Sequence, residues 1–151
     1  ILFVVAVIFG TIFVQLNDRM LANQSPADSA WNLHVLAERQ IRDGQLTQAK
    51  RNEELALVLL EQARPDEVQK TRTNICLRSL AALEELQGDT ISAERRLKDA
   101  LDFAQQAPGP VNSLLLDTRR QMADFYRKQN RIEDARKFEI ETSNHDLRKT
   151  N

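Results

Sequence analysis

Gly44-Gln-Leu-Thr-Gln-Ala49, Gly88-Asp-Thr-Ile-Ser-Ala93 and Asn130-Arg-Ile-Glu-Asp-Ala135 carry one pattern three times. Each opens on Gly or Asn, the residues that best accept a left-handed backbone. Each closes on alanine. The intervals between equivalent positions are 44 and then 42 residues. Two more columns keep that register: Ala37, Ala81 and Ala123, and Ala56, Ala100 and Thr142. Self-similarity at a fixed period marks one supersecondary unit stacked three times. Such a unit cannot bury its apolar face alone, so its neighbours cover it. This layout points to an extended binding surface and away from a catalytic pocket.

Working outward, the segments between these stretches are amphipathic with a period near 3.6. The first helix is predicted over about 30–43, with Leu33, Leu36, Ala37 and Gln40 on one face, and Gly44 stops it. The second covers about 46–63 and breaks at Arg64-Pro65. The third covers about 66–86 and ends at Gly88. The fourth covers about 91–107, after a start at Asp89-Thr90 with capping character. Pro108-Gly109-Pro110 is a breaker. The fifth covers about 111–128, Asn130 takes the glycine's place at the turn, and the sixth covers about 132–142. The fold class is therefore all-α: three antiparallel helix pairs stacked as a solenoid over 30–143, with a flexible tail at 144–151. Small residues at the alanine columns let paired helices approach closely, and larger ones would force them apart.

The residues resemble a known family. Leu36-Ala37, Gly44 to Ala49 and Ala56 look like a tetratricopeptide repeat. Leu80-Ala81, Gly88 to Ala93 and Ala100 look like a second. Met122-Ala123-Asp-Phe-Tyr126, Asn130 to Ala135 and Thr142 look like a third. The 42-residue interval is similar to the longer variant found in kinesin light chains. Glu53 and Glu139 sit where the family prefers a bulky apolar or aromatic residue. Gln40 and Glu84 replace the usual aromatic near the end of the first helix, where only Tyr126 conforms. The resemblance implies a scaffold that binds a protein or peptide segment along a concave face lined by the first helix of each pair. The family's groove positions fall on Trp31, His34 and Glu38, on Ile75, Arg78 and Glu85, and on Asp117, Arg120, Asp124 and Arg127. His34 and Glu38 stand where chaperone-tail-binding members need Lys and Asn, so binding of that kind is not expected.

The N-terminus differs from the rest. Residues 1–14 hold no charge and one polar side chain, Thr11, and the apolar run continues to Leu16. Sixteen helical residues span roughly 24 Å, short of the ~30 Å hydrocarbon core. The expectation is a single-pass transmembrane helix over 1–16, in contact with the lipid bilayer and lacking its upstream residues. A cleaved signal peptide is the rival reading. A polar tether over 17–29 follows. Its few basic residues favour a non-cytoplasmic soluble part. Asn23-Gln-Ser25, followed by Pro26, reads as linker.

Composition excludes several function classes. The chain has 21 basic and 22 acidic residues, a formal net charge of −1. That balance makes no field for nucleic acid, and acids near Arg95-Arg96 and Arg119-Arg120 offset those pairs. A single cysteine, Cys76, excludes an intrachain disulfide and reads as a buried inert thiol. His34 and Glu38 share a helix face at i, i+4 and read as a surface hydrogen bond or ion pair, with no third ligand to make a metal site. Glu53-Glu54 and Glu84-Glu85 read as solvated faces. Trp31 is either a packing residue or a partner anchor. No catalytic residues, cofactor, metal or small-molecule substrate are expected, and the chain does not read as an enzyme. The expected function is a membrane-anchored scaffold that mediates protein–protein interaction, as assembly factor or accessory subunit of a membrane protein complex. The alternative is a soluble or secreted peptide-binding module whose leader is cleaved.

Overall fold

The computed structural model describes residues 25–106 and 113–147, with side chains as far as residue 140. Six helices and no strand occur among the described residues: α1 (Pro26–Arg42), α2 (Leu46–Gln62), α3 (Glu67–Leu86), α4 (Thr90–Gln105), α5 (Ser113–Lys128) and α6 (Ile132–Leu147). No helix among them is long and apolar enough to cross a membrane. The span expected at 1–16 lies outside the described residues.

The three repeated turns have one geometry. Gly44, Gly88 and Asn130 all adopt positive φ, at 76°, 82° and 58°. Each time, the next residue donates its N–H five residues back: Gln45 to Gln40, Asp89 to Glu84 and Arg131 to Tyr126, at 2.8 Å in all three cases. The left-handed residue itself donates three back, to Ile41, Glu85 and Arg127. This paired closure satisfies carbonyls that a helix end leaves open.

Two helix limits differ most from the sequence reading. α1 starts at Pro26, so the last part of the expected tether is helical. Ser25 caps it by accepting from the Asp28 N–H at 3.1 Å. Proline is well placed at this first position because its missing N–H would have no helical partner there. α6 runs on to Leu147, beyond the expected end at 142.

Within each pair the small columns lie at the contact. Ala37, Ala49, Ala56, Ala93 and Ala100 have no exposed surface, and Ala81, Ala123 and Ala135 have almost none. One cluster joins Ala81, Ala93, Leu97, Met122, Phe125, Tyr126 and Ala135 across the second and third pairs. A second joins Ala30, Ala56, Leu60 and Cys76 across the first and second. Asn74 adds a polar tie between the second and third pairs: its fully buried amide donates to the Ala100 carbonyl at 2.6 Å and to Thr118 Oγ1 at 3.1 Å.

Stacking has a definite sense. α1 touches α3 and α3 touches α5, whereas α2 makes no such contact with α4, nor α4 with α6. The first helices thus crowd together while the second helices splay. The array bends with α1, α3 and α5 on its inner side, as a solenoid does when its two layers pack unequally.

Candidate functional site

The inner layer carries a cavity of about 280 Å³. α1 contributes His34, Glu38 and Ile41 to its walls. α3 contributes Ile75, Arg78, Ser79 and Ala82, and α5 contributes Gln121. All three helix pairs therefore meet at one concave surface. Beside it lies a second cavity of about 370 Å³, walled by Trp31 of α1 and by Glu67, Val68, Thr71, Arg72 and Ile75 of α3.

Trp31 is half-buried. Its ring lies 4.9 Å from the His34 ring and carries the Arg72 guanidinium 5.6 Å from its centroid. Arg72 in turn pairs with Asp28 at 3.0 Å. Trp31 thus shares in packing and still borders open space.

Arg78 is half-buried and its Nε donates to Gln121 Oε1 at 2.8 Å, while Gln121 Nε2 donates to the Arg78 carbonyl at 3.0 Å. Burial pulls the Arg78 guanidinium below its ordinary value, with the Asp117 charge opposing. Gln121, one residue beyond the expected Arg120, makes the contact across the groove. Arg120 instead turns to Asp117 on its own helix at 3.5 Å. Arg127 likewise pairs with Asp124 at 2.8 Å and with Glu139 of α6. Asp117, Arg120, Asp124 and Arg127 are exposed and do not wall the cavity. Glu85 pairs with Lys128 of α5 at 3.1 Å. Ile41, Ser79, Ala82 and Gln121 also wall the cavity, and being uncharged they carry no chemical signal in the sequence.

His34 is the main correction. It is buried at 4 % exposure, and its chief partner lies on another helix. Nδ1 stands 2.8 Å from Glu53 Oε1, while Nε2 faces Glu38 at 3.7 Å. Burial alone would depress the imidazole. The Glu53 hydrogen bond, the Glu53 charge and the Glu38 charge outweigh it and hold the ring above its ordinary value.

Glu53 is not solvated either: it is fully buried between α1, α2 and α3. Ser79 Oγ donates to the same Oε1 at 2.6 Å, and Oε2 has no hydrogen-bond partner. Cys76 is buried beside it. Burial and the adjoining Glu53 carboxylate push its thiol far above the ordinary range. Glu84 is the second buried acid, held by Lys50 at 3.3 Å and Arg96 at 3.7 Å. Alternating polar runs such as Glu53-Glu54 hide this, because two adjacent helix positions face about 100° apart.

The fold and groove define an α-helical repeat solenoid with a concave surface lined by its first helices. Residues 73–144 match the family model described as Tetratricopeptide repeat. That span runs from within α3 into α6 and takes in most of the second and third pairs. The family generally mediates protein–protein interaction and is a non-enzymatic scaffold. No curated protein matches the chain.

Proposed function

We propose that the protein is a scaffold that captures a protein or peptide segment along its concave face and works at a membrane. The observation that carries the reading is the cavity shared by α1, α3 and α5, where Ile41, Ile75 and Ala82 supply apolar wall and Glu38 and Arg78 supply opposite charges. A groove of this composition suits a short amphipathic segment with both an acid and a base. The anchoring role belongs to residues 1–16, whose uncharged run supports a membrane span. Attachment to a bilayer raises effective concentration at membrane partners. The role that follows is assembly factor or accessory subunit of a membrane protein complex, with the solenoid on the non-cytoplasmic side.

A photo-crosslinker at Ala82 tests the groove. It should trap a partner that an identical probe at Asp102, on the outer layer, does not. Equal capture from both positions would count against the concave face. Alkaline carbonate extraction tests the anchor: the intact protein should stay with the membranes, and its release would refute that part.

A further inference from the structure

The buried His34, Glu53 and Cys76 side chains form a group beneath the groove, with only His34 reaching its wall. Each has a ligand-type atom, and these atoms all lie within 4.8 Å of one another. The three residues come from α1, α2 and α3, so the group straddles the boundary between the first and second pairs. All are at least nine-tenths buried.

Imidazole nitrogen, carboxylate oxygen and thiolate sulfur together form the donor set that zinc accepts. Tetrahedral zinc ligands lie roughly 3.3–3.8 Å apart, given bond lengths of about 2.0–2.3 Å. Closing the group therefore takes side-chain shifts of about 1 Å. Supporting contacts are in place as well. His34 would coordinate through Nδ1, leaving Nε2–H toward the Glu38 carboxylate at 3.7 Å. A carboxylate on the far ring nitrogen is the usual device for orienting a metal-bound histidine. Ser79 orients Glu53 by donating to Oε1 at 2.6 Å. Oε2 of the same carboxylate is buried with no hydrogen-bond partner, which leaves it lone pairs to offer an ion. His34 and Ser79 also wall the groove cavity, which opens a path for an ion.

We propose that His34, Glu53 and Cys76 bind one Zn²⁺, with water in the fourth position, and that the ion staples the first helix pair to the second. Starting from the imidazolium form, binding breaks the Cys76 S–H and the His34 Nδ1–H bonds. Zn–S and Zn–N bonds form and two protons leave to buffer. The neutral imidazole, the carboxylate and the thiolate then balance the dication, which leaves the site without net charge.

Cobalt(II) titration of the full chain in detergent tests this. Cys76 is the only cysteine, so a thiolate-to-cobalt charge-transfer band reports this site alone. The expected result is a band that saturates at one equivalent, is displaced by zinc, and is accompanied by a higher melting temperature. Glu38→Gln, at an exposed position, should weaken cobalt binding about ten- to a hundredfold, with the melting-temperature gain on metal addition read against the variant's own metal-free melt. The absence of the band with excess cobalt would overturn the proposal. So would a Glu38→Gln variant that binds as tightly as the wild type, because His34 would then not be a ligand oriented as described.

Discussion

Gln40, Glu84 and Tyr126 occupy one column of the repeat, yet each is satisfied differently. Gln40 accepts from Asn52 at 2.7 Å. Glu84 takes Lys50 and Arg96. Tyr126 stacks on Phe138 at 5.7 Å, carries the Arg131 guanidinium 4.4 Å from its ring and donates its hydroxyl to Glu94 at 3.0 Å. Burial and the Glu94 carboxylate push that hydroxyl up to about 12, so it remains a donor at neutral pH. The column therefore asks for a side chain that reaches the next helix and ends in a partner, and aromaticity is one answer among three. Glu84→Ala should cost about 3 kcal/mol, the lower end for breaking a buried ion pair, because Lys50 and Arg96 still reach water. Denaturant unfolding with an unchanged m-value reads this directly. A loss under about 1 kcal/mol would mean that the pair contributes little.

At the scale of the element, the turns decide where each helix stops. A side chain at Gly88 would meet no atom within 4 Å, but the backbone there has φ of +82°. Gly88→Ala should therefore cost about 1–2 kcal/mol from left-handed strain alone. Gly88→Asn should recover most of that, because Asn130 already holds the same conformation in the third turn. Comparing the two variants by thermal melting separates strain from crowding. Equal destabilisation by Ala and Asn would show that crowding, not backbone strain, controls the turn. These turns were legible in the sequence because glycine and asparagine are chosen by local backbone energy. The start of α1 was not, because a proline reads as a breaker until Ser25 is seen to cap the helix behind it.

At the scale of the whole molecule, the second pair is covered on both sides and the outer pairs on one. α3 buries eight residues from Thr73 to Glu84, more than any other helix among those described. In a nearest-neighbour stack, local opening follows the number of interfaces that must break. Amide exchange should be slowest in α3 and faster in α6. Protection in α6 equal to that in α3 would show that the array opens only as one unit.

The sequence by itself determined the repeat count, the helix pairing and the turn positions. All of these arise from local backbone preference and from small residues recurring at one period. It also marked α1, α3 and α5 as the groove helices, through the family resemblance. Only the tertiary structure decided which polar side chains are buried. Glu53, His34 and Cys76 lie on three helices separated by 19 and 23 positions in the chain. Their meeting depends on how neighbouring pairs rotate and bend against each other. That rotation also put Gln121, not Arg120, opposite Arg78. Contacts of this kind are set by packing summed over whole helices, and no single residue's identity announces them.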